Sequence, residues 1–521
     1  MNIGRNTKLI LCVILAGWFC FNALTLTEYP VPMQDEAHYS VISYQFARYG
    51  TFSSPIHGGL AYQDINYSYS GRLWSLGLSI LIATLGGSLF ASRLYNLLAW
   101  MACCVLVYVI ARRLYRREIG VLAALIMAFS TSAFVRFRML RPDPWAGFAV
   151  LSLFWSTLYF RDRPNFKRSF VLGIACLLVL DVYINTAFFL PACGLFVLWI
   201  AFSRRDMRPV LGFGLGALLT AAGIILARLY PDAYAAYYQW WLMVPALQRM
   251  RVAIGNFGPA STGRWFWDYF VVANRGLSGV ESLLALVGIG VAVRQRQADE
   301  VWLVAFYLTS LLLFGVFYSD KGWPHIAMWM PFLFMMAARA LSKASEMVAA
   351  RLQVTHPSQA PALVTPWLIV NLLAGLWLVY SHRTNDWPAT ARAVQALVPE
   401  RAGLLAEGEW WFAHQEGPFT SSLSLFTLQF LNPDGVVSEQ ELVAYLRQNE
   451  VEYILLEAQS PYTLNILAPP SITVIELVDQ YCLPTGTVDG YFTEGYRQAT
   501  ATIYRCNFWI GQPDSNGQPT N

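Results

Sequence analysis

Two carboxylates stand side by side in MQDEAHY (residues 33–39), where the first apolar stretch of the chain ends. A third, Asp143, closes the basic run RFRMLRPDP (136–144), which holds Arg136, Arg138 and Arg141. SDKGWPH (319–325) sets Lys321 and His325 at the start of another apolar run. The segment 230–276 carries Arg249, Arg251, Arg264 and Arg275 among the aromatic clusters YAAYYQWW and GRWFWDYF. A carboxylate within reach of a hydroxyl can take its proton. A lysine meets a phosphate as a point charge, and arginine as a planar fork. Each group also has a plainer reading. Acidic dipeptides usually mark solvated turns, arginines beside apolar runs snorkel to headgroups, and aromatic rings settle at the membrane interface. Which reading holds depends on what brings these groups to one place.

The elements that must do so are membrane helices. Of the 521 residues, 56% are hydrophobic and 13% charged, with mean hydropathy +0.42, against about 25% charge in soluble domains. The net charge of +4 is scattered in short clusters, and no nucleic-acid-binding patch is present. Apolar runs predict about 11 spans: 8–27, 89–111, 118–136, 144–160, 169–184, 187–203, 208–229, 277–294, 300–318, 324–341 and 366–381. The first is long and lacks a small-residue cleavage site, so it reads as an uncleaved helix. Stretch 72–87 decides the parity. With 72–87 lying on the outer side as a juxtamembrane helix, the basic clusters at 112–117, 161–168, 204–208, 294–296 and 339–351 are all cytoplasmic, as the positive-inside rule requires. Were it to span, all would face outward. Loops 28–88 and 230–276 and the region from 382 are then extracytoplasmic, and RFRMLRPDP is a basic cluster on the wrong side, which suggests attraction to something anionic there.

The division is a membrane domain over 1–381, an α/β module over 382–510 and a disordered tail over 511–521. In the module, EQELVAYLRQNEVEYILLE reads as a helix running into a strand, and ITVIELVDQY and ATATIYRCNF as further strands. Cys482 and Cys506 are the cysteines placed to pair if this part lies outside the cytoplasm; the other six lie in apolar runs. GFGLGA (212–217) has the glycines of a nucleotide fingerprint but sits in a span, so Gly212 and Gly216 read as helix-packing positions. Asp181, at the outward end of its span, reads as a solvated cap or a functional group. No metal-ligand spacing occurs among the six histidines,.

In this setting the chain resembles the GT-C glycosyltransferases, in the branch of the protein O-mannosyltransferases and lipid A aminoarabinose transferases. Asp35-Glu36-Ala37-His38-Tyr39 is similar to that branch's DE-x-x-Y in the first outer loop, and FARYGTFS to its continuation. LGGSLFASRLYN (85–96) resembles the entry to the second span, Asp143 matches an acidic residue at the outer end of the third, and YSDKGWPHIAMWMPFLF resembles a late motif. The likeness covers about residues 1–345. Arg72, in YSGR, stands where relatives often carry Lys-Pro or Pro-Pro, and His38 where some carry Arg.

The resemblance implies a polytopic helical fold with outer juxtamembrane helices and a small soluble α/β domain, in the plasma (inner) membrane. It implies inverting transfer of a sugar from a polyprenyl-phosphate donor to an acceptor hydroxyl of a lipid, glycan or protein on the outer face. Asp35 is then the base, Glu36 and Asp143 orient the acceptor, and Arg72, Arg138, Arg141, Arg264, Lys321 and His325 meet the donor phosphate. No cofactor is required by these residues, and a divalent cation is left open. A lipid-saccharide flippase is the alternative. It would set its ionisable groups near the midplane on broken helices, whereas here they gather at span ends. A structural partner of a cell-wall synthase would leave Asp35 replaceable.

Overall fold

The computed structural model describes residues 3–67, 71–230, 232–236, 279–318, 323–351, 360–382, 386–432, 435–457, 472–492 and 498–508. Helix α1 (Ile3–Leu24) leads into α2 (Gln34–Tyr49) and α3 (Arg72–Leu85). There follow α4 (Leu89–Leu114), α5 (Arg117–Phe129), α6 (Thr131–Arg138), α7 (Asp143–Asp162), α8 (Phe166–Val182), α9 (Leu190–Arg204) and α10 (Arg208–Leu229). Beyond these lie α11 (Gly279–Gln295), α12 (Ala298–Phe317), α13 (Met330–Arg351) and α14 (Ala360–Ser381).

Helices stand at every position where an apolar run predicted a span. By length and composition, four described helices are able to cross a membrane: α4, the stretch Ile184–Arg204 that includes α9, α10 and α12. A fifth is the pair α5 and α6, one apolar run bent by 59° at Ser130. Ser130 caps α6 by accepting the Ala133 N–H, and Asn371 of α14 accepts from Thr131 N at 3.0 Å, so the break is satisfied from a neighbouring helix,. Helix α10 lies on α8 through Gly212 and Gly216, where a Cβ would run into the carbonyls of Phe166 and Phe170. Only a glycine face permits that approach.

Helix α3 is only 14 residues long and packs on α2. Helix α2 ends because Gly50 takes a left-handed conformation (φ 72°) and donates its N–H to Phe46 O,. The chain then turns through two 3-10 turns, Pro55–His57 and Leu60–Tyr62.

From 386 the chain builds a second layer: α15 (Trp387–Leu397), β1 (Gly403–Ala406), β2 (Phe419–Ser421), α16 (Ser422–Leu431), α17 (Glu439–Gln448), β3 (Val451–Glu457), α18 (Val474–Tyr481), β4 (Cys482–Phe492) and β5 (Gln498–Cys506). The sheet order is β2-β1-β3-β5-β4, parallel among the first three and antiparallel across β3/β5 and β5/β4. Cys482 and Cys506 are register partners and form a disulfide. The expected strand at ITVIELVDQY is instead α18. Thr473 accepts the Glu476 N–H and Glu476 reaches back to Thr473 N, a capping box that starts a helix where β-branched residues alone favour a strand,.

This layer is not separate from the first loop. Ala37, Val41, Trp74 and Leu78 of α2 and α3 share one buried core with Trp387, Leu404, Trp410 and Phe412. At the far end of α2, Arg48 pairs with Glu416 at 2.6 Å and Tyr44 donates to it at 2.9 Å. The sheet module and loop 28–88 therefore lie on one side of the helix bundle.

Candidate active site

A fully buried ion pair fixes the start of α2. Arg93 of α4 donates Nε to Glu36 Oε1 at 2.8 Å and Nη2 to Oε2 at 2.7 Å. The same carboxylate accepts the backbone N–H of Leu140 (2.8 Å) and of Met33 (3.0 Å), while Arg93 Nη1 donates to the carbonyls of Leu26 and Pro30 at 2.7 Å each. Four bonds fill the carboxylate's acceptor sites. Glu36 is thus enclosed by protein, not turned toward a substrate as the sequence reading expected. It joins the α1–α2 connection to the turn 139–142. Asn96, one helical turn beyond Arg93, holds the same turn by donating Nδ2 to Met139 O (2.6 Å) and Arg141 O (2.7 Å).

With that turn fixed, the Arg141 guanidinium bridges two carboxylates. Nη1 meets Asp35 Oδ2, and Nε donates to Asp143 Oδ2 at 3.1 Å. The Asp35 side chain keeps 45% of its surface exposed, and its Oδ1 has no partner among the described residues. Asp143 is 1% exposed, with His325 Nδ1 at 2.8 Å from its Oδ1. Because an ionised carboxylate only accepts, Nδ1 donates. Tyr183 Oη lies 3.2 Å from that nitrogen and Asn185 Nδ2 3.5 Å.

Two residues back along the chain from Tyr183, Asp181 anchors a second group. Its Oδ2 accepts the Leu73 N–H at 3.0 Å, capping α3 from another helix, and its Oδ1 accepts from Arg228 Nη2 at 3.3 Å. So Asp181 is a buried cap with an ionic partner. Arg72, the first residue of α3, is 4% exposed and lies over the Phe52 ring at 4.1 Å. Its Nη2 donates to Asn66 Oδ1 (2.7 Å) and Tyr230 O (3.2 Å), while Nε and Nη1 are buried with no hydrogen-bond partner among the described residues. Burial pulls its pKa down to about 10, helped by Arg228 and opposed by Asp181. A buried guanidinium with two idle donors is costly unless an anion completes it.

The remaining expected phosphate contacts divide. Arg138 is fully buried and donates to Tyr29 O (2.8 Å), Asn22 Oδ1 (2.9 Å) and Thr25, which places it behind the site at the end of α1. His325 sits against Asp143, not beside Arg72. Lys321, Arg264, Arg249, Arg251 and Arg275 lie outside the described residues. Three carboxylates of the sheet module, Glu407, Glu409 and Glu457, could share a cation by geometry, and none lacks a protein partner.

The family model described as dolichyl-phosphate-mannose-protein mannosyltransferase matches residues 72–227. An undecaprenyl phosphate-alpha-4-amino-4-deoxy-L-arabinose arabinosyl transferase of Pseudomonas aeruginosa (strain UCBPP-PA14) is 25% identical over 320 residues, 58% of this chain and 54% of that protein. A Pseudomonas fluorescens protein of the same description is 26% identical over 320 residues, 60% and 55% of the two chains. The chain spans about half the length of the curated relatives it matches. Among solved structures, ArnT from Cupriavidus metallidurans bound to undecaprenyl phosphate superposes with TM-score 0.58 at 12% identity, over 96% of this chain and 98% of that one. The Archaeoglobus fulgidus oligosaccharyltransferase, in complex with Zn and sulfate, gives 0.54 at 13%, over 94% and 73%. The fold is that of the GT-C glycosyltransferases.

Within this GT-C fold, the residues missed from the sequence are those that position the others: Arg93, Asn96, Asn66 and Tyr183. Two of them left a signal. Arg93 and Asn96 are polar residues three apart in an otherwise apolar run, which marks one buried polar face.

Proposed function

We propose that the protein is a membrane glycosyltransferase that moves a sugar from a polyprenyl-phosphate donor to an acceptor hydroxyl, on the side of the membrane that carries loop 28–88. The observation that carries this reading is the half-exposed Asp35, held by Arg141 through one oxygen with the other open. That open oxygen takes the acceptor's proton as the acceptor oxygen attacks the anomeric carbon. The carbon–oxygen bond to the phosphate breaks, its electron pair leaves on the phosphate oxygen, and attack opposite the leaving group inverts the centre. Arg141 and Asp143, braced by His325, hold Asp35 in place. The unpaired donors of Arg72 suit the departing phosphate, whose charge grows as the bond breaks. These groups gather at helix ends, which favours catalysis over a midplane transport pathway. Oxygen ligation of a divalent cation at Asp35 and Asp143 would compete with Arg141, which already supplies positive charge to both.

The basic clusters support the outer-face orientation, and the donor in the relatives' description, an undecaprenyl-phosphate sugar, is consistent in kind. The test is sugar transfer by purified protein in detergent with a polyprenyl-phosphate sugar, alongside donor binding. Asp35→Asn keeps the size and removes the proton acceptor, so turnover should fall by about 10²–10⁴ while the donor still binds. Near wild-type transfer by that variant would remove the base assignment.

A further inference from the structure

Away from Asp35, the sheet module has a half-open cleft of about 420 Å³ between α15 and the turn 412–416. Its polar lining has a consistent character. Gln395 donates its amide to Ala413 O at 3.0 Å, Gln415 donates to Gly87 O, and His414 donates Nε2–H to Ala402 O at 2.7 Å. What these groups have left is mixed: two amide oxygens and the His414 Nδ1 as acceptors, and the second N–H of each glutamine amide as a donor,. Burial lowers the His414 pKa, in keeping with that neutral tautomer. Glu416 is matched by Arg48 and Tyr44, whereas the exposed Glu400 carboxylate makes no side-chain hydrogen bond among the described residues and acts on His414 through its charge alone. Phe412 adds a ring to one wall. A cleft with both acceptors and amide donors and an aromatic surface fits a ligand rich in hydroxyls, which donate and accept, with an apolar face. Saccharides combine the two.

The cleft is linked to Asp35 by α2. Tyr44 and Arg48, which hold the Glu416 wall, stand 9 and 13 residues after Asp35 on that helix, about 14 and 20 Å along its axis. An acceptor presenting one hydroxyl at Asp35 would need several sugar units to reach the cleft. We propose that this cleft is a distal subsite for the glycan part of an extended saccharide acceptor, a proposal that rests on the glycosyl-transfer reading. It predicts an acceptor that is a chain of sugars, not a single hydroxyl on a small molecule.

Binding and transfer are to be measured separately on the full-length protein in detergent. Saturation-transfer NMR and calorimetry with a glucosamine tetrasaccharide, and with its N-acetylated counterpart, report the subsite without any donor. Binding of both is expected, with Glu400→Gln and Gln395→Ala each raising Kd at least fivefold; both positions are exposed, so folding is preserved. If only the free amine binds, the cleft is a cation site held by Glu400, and the saccharide proposal fails. It fails equally if neither sugar binds, or if both variants bind as wild type does. In the transfer assay, the same variants should raise KM for a long acceptor at unchanged kcat and leave a monosaccharide acceptor unaffected. A protein that binds the tetrasaccharide at this cleft but transfers nothing would retain the subsite and refute the enzymatic reading.

Discussion

At the scale of single residues, the adjacent carboxylates Asp35 and Glu36 face opposite ways and should respond oppositely to substitution. Glu36→Gln leaves Arg93 buried with its charge unmatched, and breaking a buried pair on one side costs about 3–5 kcal/mol. Thermal unfolding in detergent should show a large fall in midpoint for Glu36→Gln and almost none for Asp35→Asn. Equal midpoints would mean that Glu36 does not fasten the turn 139–142. Arg72 gives the converse case. Arg72→Met removes a buried guanidinium with two idle donors, so stability should hold or rise, while polyprenyl-phosphate affinity should drop about tenfold or more, the scale of hydrogen bonds to a charged group. Unchanged affinity would free Arg72 from any phosphate role. The sequence singled out Asp35 and Asp143 as candidates because their residue types and loop positions are local facts, and the structure brings both onto Arg141. It could not separate Asp35 from Glu36, since that depends on Arg93, 57 positions away in the chain.

At the scale of elements, α2 and the turn after it meet through an imidazole pair, His38 of the helix and the buried His57 of the turn. His38 Nδ1 lies 2.9 Å from His57 Nε2, and His38 Nε2 lies 2.9 Å from Tyr67 Oη. Burial lowers the His38 pKa to about 4 and that of His57 well below its ordinary 6.5, with the charge of His38 adding to the effect on His57. Both pKa values are depressed on folding, so the unfolded chain takes up protons first. The contribution is complete above about pH 6.5 and is lost as pH falls toward 4. Unfolding midpoints measured from pH 7.5 to 4.5 should decline, and His38→Gln should flatten the decline. A wild-type profile level over that range would show that the pair does not stay neutral. Apolar runs made the membrane helices readable. The sheet module was read less well, since α18 depends on the Thr473–Glu476 cap and β1 is a four-residue strand too short to carry a period.

At the scale of the whole molecule, the shared core makes one prediction about sidedness. Cysteines introduced at Tyr49 and Leu483, 60% and 75% exposed, in a chain whose six free cysteines are alanine, should both react with a membrane-impermeant maleimide in intact cells. One at Arg116 should react only after permeabilisation. The reverse pattern would invert the topology and the mechanism with it. On the same topology, the Cys482–Cys506 bridge lies in an oxidising compartment, and its removal should destabilise the module by on the order of 3 kcal/mol, read as earlier proteolysis of the C-terminal region.

The packing of α2 against the sheet module also has a consequence in time. Asp35 leaves the ribosome well before the tryptophans that close over its helix, which come some 350 residues later. At about 5–20 residues per second, the loop waits roughly 20–70 s for the wall that shapes it. A nascent or truncated chain ending at 381 carries Asp35, Arg72, Arg141 and Asp143 but leaves α2, which bears Asp35, with one bare apolar face. Such a chain is a substrate for quality control before it can be a catalyst, so nonsense mutations late in the gene should remove the protein from the membrane and leave no partial activity behind.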